Sequence, residues 1–438
     1  MTEPVPAPAP FAPPAPGTLA VLRGATLIDG TGAPPRPATT VVVDGERILR
    51  VAPDAEVGPG DHPGADVVDL TGHVLLPGLI DSHQHMATPP NRPVAEATLR
   101  RDLLGGVTAV RDMADDLRQV GDLARAALVG EIAAPDIRYA ALTAGPGFFD
   151  DPRTWQVCQG ATPGHTPWMQ AVTADTDLPL AVARALGTSA TAIKVYADLS
   201  GERVAAITGE AHRQGAMVWA HAAVFPASPG EVVAAGVDSV SHVNLLVHEA
   251  AGRALTTYGD KPPVDHTRFL AGDEPRIEAL LRAMVRQGTI LDATASMWGR
   301  IAGEAAGRGD AEGERRAREN GELAAALTAQ ARRAGVQVSA GTDCDPDPGQ
   351  PWPPLHEEIA FLVRRCGFSV EQALHSATLV GARSLGVEGE TGSVEEGKLA
   401  NLVVLARDPM EEIGHLDSVV LVVKRGRRYD RPAARTRG

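Results

Sequence analysis

LLPGLIDSHQH, residues 75–85, is an apolar run of strand length that ends in two histidines two positions apart. Residues i and i+2 of a strand point to the same side, so His83 and His85 face one way and can share a metal ion. Such a pair is weak evidence by itself, and its meaning depends on the rest of the chain. Counting this first run as 75–82, strand-length apolar runs recur at 107–113, 137–144, 191–197, 216–222, 237–243, 289–295 and 336–342. Amphipathic helical stretches fall between them, such as ERVAAITGEAHRQG (202–215), EPRIEALLRAMVRQG (274–288) and GELAAALTAQARRAG (321–335). Several end in Gly just before the next strand, as a helix-to-strand connection requires. Eight such repeats predict an α/β fold with a (β/α)8 TIM-type barrel over residues 77–388.

The flanks have another texture. Residues 18–76 read as short strands (TLAVLRGATLID, ATTVVVDGERILRVAP, ADVVDLTGHVLL) broken by the turn signals Asp44-Gly45 and Thr71-Gly72. The same texture returns over 389–430 in GSVEEGKLANLVVL and SVVLVVKRG. The two ends are therefore expected to build one small β-sandwich domain together. Residues 1–17, rich in Pro and Ala, predict a disordered lead-in with no signal-peptide pattern. Two stretches, 145–177 and 344–355, fit no regular element; both come after barrel strands, where long loops shape pockets.

The candidate chemistry lies at the strand ends. Lys194 sits inside the apolar strand TAIKVYAD and is one of only four lysines, with Lys261, Lys398 and Lys424. A buried lysine has a depressed pKa and a neutral amine open to carbamylation by CO2, which would make it a bridging carboxylate. His221 ends AMVWAH, His242 ends DSVSH, and Asp343 ends VQVSAGTD. Singly, each of these residues is better explained by a hydrogen bond, an ion pair or a cap. Together, His83, His85, Lys194, His221, His242 and Asp343 fall at the C-terminal ends of strands 1, 1, 4, 5, 6 and 8, the face where TIM barrels carry catalysis. This donor set suits two divalent metal ions with positions left for water. Tyr196 points the same way as Lys194. His165 lies in the loop after strand 3. Arg111 and Asp112 end strand 2 and are read as a salt bridge under the rim, and His248 and His356 as surface residues.

PGLIDSHQH (77–85), IKVYAD (193–198), AHA (220–222), SHV (241–243) and AGTD (340–343), in this order, resemble the signature of the amidohydrolase superfamily. The stretches 356–387 and 392–405 resemble that family's helical segment and sandwich return, with Asn401 where an Asp is usual. The likeness is to imidazolonepropionase-like and prolidase-like members with a carbamylated lysine. It implies that His83, His85 and Asp343 hold the more buried metal, that His221 and His242 hold the second, and that carbamylated Lys194 bridges them. It implies hydrolysis of an amide-like C–N bond, in a dipeptide, an N-acyl or N-carbamoyl amino acid or a related small amide. Two metals would lower the pKa of a shared water and polarise the carbonyl. Asp343 would carry the proton, and His242 or Tyr196 would stabilise the oxyanion. His165 would lie near the substrate. Zn2+ suits the ligands; Mn, Fe, Co and Ni are compatible. The alternatives are lactone hydrolysis, deamination or decarboxylation on the same metals, or a non-catalytic binding protein of the same fold. The strand-4 lysine argues against deamination.

The net charge of −14 argues against nucleic acid and anionic membranes as partners, and no apolar run is long enough to span a bilayer. The expected partner is a small-molecule substrate. Cys158, Cys344 and Cys366 are far apart and show no metal or disulfide pattern, which suits a reducing, cytoplasmic compartment. A homo-oligomer is expected only because such assemblies are common among soluble enzymes.

Overall fold

The structure, a computed structural model, describes residues 14–431 apart from 59 and 263. The expectation of a disordered N-terminus falls, for residues 1–13, outside the described residues. Residues 14–17 lead into a turn beside Asp44 and Gly45, with Gly17 N–H donating to Asp44 Oδ1 at 2.5 Å.

Eight parallel strands form the barrel: Leu79–Gln84, Val107–Asp112, Asp136–Ala144, Ala192–Val195, Met217–His221, Ser239–Ser241, Ile290–Asp292 and Val338–Ser339, numbered here as barrel strands 1 to 8. Each pairs in parallel with the next, with register shifts between strands 1 and 2. Strand 8 meets strand 1 through Ser82 N–H to Ala340 O, 2.9 Å, and a parallel bridge between Gln84 and Cys344. Every residue of strands 1, 2, 4 and 7 is buried, as expected for parallel strands covered on both faces. The helices between strands start on side-chain caps: Asp116, Asp177, Ser200 and Ser228 each accept a backbone N–H of the first turn. The helices Pro275–Gln287 and Ala311–Ala334 end at Gly288 and Gly335 in the left-handed conformation, as the sequence predicts.

The chain ends make one eight-stranded sheet. In it, Val74–Pro77 lies between Leu19–Leu27 and Leu402–Leu405, so strands from both termini are hydrogen-bonded neighbours. The first strand expected from the sequence needs correction. The run at 75–82 is two strands: Val74–Pro77 belongs to the sandwich and Leu79–Gln84 to the barrel. Both halves are fully buried, so no change in periodicity marks the crossing. Asn401, the departure from the usual Asp, is buried in this domain, where its side chain bonds Thr391 Oγ1 and the Arg425 backbone N–H.

The stretch 145–177 is more ordered than expected. It holds a 3-10 turn (Pro146–Asp150), a short helix (Pro152–Val157) and the strands His165–Thr166 and Met169–Ala171, the latter pairing with the upper part of strand 3. All three cysteines are free and buried. Among the described residues no helix is long and apolar enough to cross a membrane.

Leu75 is fully buried in the sandwich core. Leu75→Ala is expected to cost about 2–5 kcal/mol, the usual range for a buried leucine, read as a lower denaturation midpoint in urea. A shift worth under about 0.5 kcal/mol would mean that the sheet joining the termini is not a packed unit.

Candidate metal centre

The barrel strands deliver the six expected side chains to one mouth. His83 and His85 leave strand 1 on the same side, and both Nε2 atoms face Asp343 Oδ1, at 3.2 and 3.4 Å. One ligand atom from each of these three residues lies within 4.8 Å of the others. His242 continues the arc: its ring centroid is 4.9 Å from that of His83 and 4.8 Å from that of His221. His242 Nδ1 is 3.9 Å from Asp343 Oδ2. Lys194 is 1% exposed on strand 4, which lies between strands 3 and 5.

Each strand-1 imidazole is oriented by a buried carboxylate. His83 Nδ1 donates to Asp292 Oδ2 at 2.6 Å, and His85 Nδ1 donates to Asp115 Oδ1 at 2.7 Å. With Nδ1–H committed outward, the Nε2 lone pairs of both rings point at a carboxylate oxygen. Lone pairs facing an anionic oxygen repel unless a cation lies among them, so this donor set fits a divalent ion. His221 is fixed similarly, its Nδ1 donating to Ala223 O at 3.1 Å, while Thr294 Oγ1 lies 3.0 Å from His242 Nδ1.

The electrostatics agree. Burial, and then the Arg111 guanidinium, bring the Lys194 ammonium down to about 7, against the pull of Asp292 and Asp343. Burial pushes His242 down to about 3 and holds His221 well below the usual imidazole range, so both rings are neutral. Burial alone would raise Asp343, but His83, and then the other imidazoles around it, outweigh it and hold the carboxyl well below the usual carboxylate range. Burial also opposes charge on His85, yet Asp115, helped by Asp343, holds it well above its ordinary value.

Sequence reasoning missed the residues that orient the ligands. Asp292 ends strand 7 and is wholly buried. Its Oδ2 accepts from His83, from Arg111 Nη2 at 3.1 Å and from Ser241 Oγ at 2.8 Å. Arg111 also donates to Ser82 O, Ser239 Oγ and Ser384 O, and its guanidinium lies over the Trp219 ring at 4.7 Å. Arg111 does form a salt bridge, but with Asp292 and not with Asp112, which instead accepts the Met86 and Asp115 N–H groups. Gly341 allows this packing: a Cβ there would lie 2.2 Å from Asp292 Oδ1 and 2.8 Å from His83 Cβ. The available signal was an acidic residue ending an apolar strand, in TILDATAS, at the one βα end from strand 4 onward with no assigned ligand.

Other expectations need correction. His165 is exposed on its two-residue strand and lines an open cleft of about 400 Å3 with Asp177 and Arg184, two strand spacings outward from strand 3. Its described contacts do not reach the six. His248 is buried against Phe225, not on the surface, and His356 is tucked under Trp352 with Nε2 at 2.9 Å from Gly105 O. Tyr196 sits where expected, its ring 4.8 Å from that of His221.

Known proteins agree with this picture. The model of the Amidohydrolase family matches residues 74–429. Imidazolonepropionase of Picrophilus torridus is 41% identical over 58 residues, 13% of this chain and 15% of that protein. Dihydroorotase of Mycobacterium tuberculosis is 42% identical over 78 residues, 17% of each chain. These matches span under a quarter of the relatives' length. Solved structures align along nearly the whole chain. A candidate prolidase from Bifidobacterium longum is 26% identical, with a TM-score of 0.70 over 95% of this chain and 96% of its own. A Xaa-Pro dipeptidase with methionine bound in its active site has a TM-score of 0.75 at 23% identity, over 94% and 100%.

Arg111→Met is expected to strip a buried carboxylate of its cation and cost about 3–5 kcal/mol, read as a lowered thermal midpoint with disturbed His83 ring signals in NMR. A stability within about 0.5 kcal/mol of the parent would show that Asp292 does not depend on it. A match over four-fifths of the chain, on a barrel carrying this donor set, places the chain in the amidohydrolase family.

Proposed function

We propose that the chain hydrolyses an amide-like C–N bond of a small substrate with the help of two divalent cations. His83, His85 and Asp343 would hold one, His221 and His242 the other, and carbamylated Lys194 would join them. The observation that carries this reading is the pair of outward-committed Nδ1 atoms, which leaves two imidazole lone pairs and a carboxylate converging on one point. Zn2+ suits these borderline nitrogen and oxygen donors, with Mn, Fe, Co or Ni also compatible.

When bound, the cations supply an activated water and polarise the scissile carbonyl. The protein's own groups do the rest. The Lys194 amine, brought toward neutrality by burial, would in its neutral form add to CO2 through its nitrogen lone pair and release one proton, which converts the neutral amine into a carbamate anion. Asp343 offers Oδ1 to the strand-1 side and leaves Oδ2 toward His242, so Oδ2 is placed to take a proton from the attacking water and hand it to the leaving nitrogen. His165, out on the flank, takes no part in these steps.

For substrate, a dipeptide or an N-acyl or N-carbamoyl amino acid is the preferred class. The support is likeness along almost the whole chain to a candidate prolidase and a dipeptidase.

Asp343→Asn is expected to lower turnover of the best dipeptide or N-acyl amino acid by about 10^2- to 10^4-fold, the range of a lost general base, with an unchanged circular dichroism spectrum. Near-parental turnover would remove Asp343 as the proton carrier. Stripping the parent with 1,10-phenanthroline should abolish activity, and added Zn2+ should restore it; activity that survives complete metal removal would contradict the reading.

A further inference from the structure

Aromatic residues are only 4% of this chain, yet three of them meet at one side of the metal mouth. Phe148 comes from the loop after strand 3, Tyr196 from the end of strand 4, and Tyr258 from the irregular segment after strand 6. Ring centroids lie 4.7 Å apart for Phe148 and Tyr196, 5.4 Å for Tyr196 and Tyr258, and 6.1 Å for Phe148 and Tyr258. Both tyrosines also touch the His221 ring, Tyr196 at 4.8 Å and Tyr258 edge-on at 5.3 Å.

The wall is held from outside. Tyr258 N–H donates to Asp198 Oδ1 at 2.8 Å, which ties the strand-6 segment to the strand-4 loop. Lys261 Nζ lies 3.8 Å from the Tyr258 ring centroid, at cation–π distance. The strand-3 loop reaches Tyr196 because Gly145 has no Cβ: one there would lie 2.0 Å from Asp198 O, where Gly145 N–H instead bonds Ala197 O at 2.8 Å. Three loops have thus been brought together to put ring faces and edges beside a proposed metal ligand. The barrel interior does not require them, since Arg111 and Trp219 already fill it. Phe148 is buried behind, while both tyrosines keep some surface toward solvent.

The geometry points to Tyr258 as a specificity-determining residue: with Tyr196 and Phe148 it forms a subsite for a flat, aromatic substituent of the substrate, next to the reacting amide. This inference rests on the proposed metal centre. Offset or edge-to-face stacking on such a wall favours an aromatic group over a small aliphatic one, and Lys261 acts through Tyr258 as a positioning residue.

The test compares acetohydroxamate with benzohydroxamate, metal-binding ligands that differ only in methyl against phenyl, by calorimetric titration of the zinc-loaded protein. The parent is expected to favour the phenyl compound by about tenfold or more. Tyr258→Ala should shrink that ratio by about three- to tenfold, as the loss of one aromatic contact would. Tyr258→Phe should keep the ratio, and Lys261→Met should reduce it less than Tyr258→Ala. An equal affinity for both compounds in the parent, or a ratio unchanged in Tyr258→Ala, would overturn the subsite while leaving the metal centre standing. Failure of both hydroxamates to bind at all would overturn the metal centre and the subsite with it.

Discussion

Asp292 Oδ2 accepts three hydrogen bonds in the interior of the barrel, from His83 Nδ1, Arg111 Nη2 and Ser241 Oγ. A carboxylate taken out of water is costly unless it is paired and bonded, and here a guanidinium provides the charge. The consequences spread in both directions. Toward the mouth, the bond fixes His83 as a ring with Nδ1–H outward and Nε2 toward Asp343. Below it, Arg111 ties strand 2 to strand 1 through Ser82, to strand 6 through Ser239 and to the segment Leu379–Ser384 through Ser384 O. The ligand geometry and the barrel's closure therefore share one set of charges.

The mouth is also stiff. His242, Thr294, Asp343 and Asp198, all just beyond strand ends, have φ of 73°, 46°, 51° and 54°. Left-handed conformations of non-glycine residues cost about 1–3 kcal/mol each and persist only where surroundings fix them. The fixing bonds are visible: His242 N–H to Asp292 O at 3.0 Å, and Asp343 N–H to His83 O at 2.9 Å. Asp81 adds to them, accepting the His83 and Thr342 N–H groups on one oxygen. Side chains held in this way are fixed by the protein's own hydrogen bonds.

Much of this was legible in the sequence, for a physical reason. A parallel barrel buries its strands on both faces, so a His, Lys or Asp at the end of an apolar run has few reasons to be there. His83, His85, Lys194, His221, His242 and Asp343 stood out on that ground, and so did the eight-strand rhythm. What failed had no such contrast. The split of strand 1 at Pro77–Leu79 lies within one continuous apolar run. Asp292 follows only two strongly apolar residues, Ile290 and Leu291, and a lone Asp at such a strand end equally suits a turn or a cap. Tyr258 lies in a segment without periodicity, and its meeting with Tyr196 is set by tertiary packing. His165 was placed near the substrate from its loop, but the loop folds into short strands that carry it to the flank.

Outward-committed imidazoles on strand 1 converge with Asp343 on a group that could hold a cation, and the proposed chemistry stands or falls with that convergence. Anomalous X-ray scattering at the zinc absorption edge, from crystals of zinc-loaded protein, tests it most directly. Two peaks are expected, one among His83 Nε2, His85 Nε2 and Asp343, the other at His221 and His242, with extra density on Lys194 Nζ between them. A map with no peak among His83, His85 and Asp343 would contradict it.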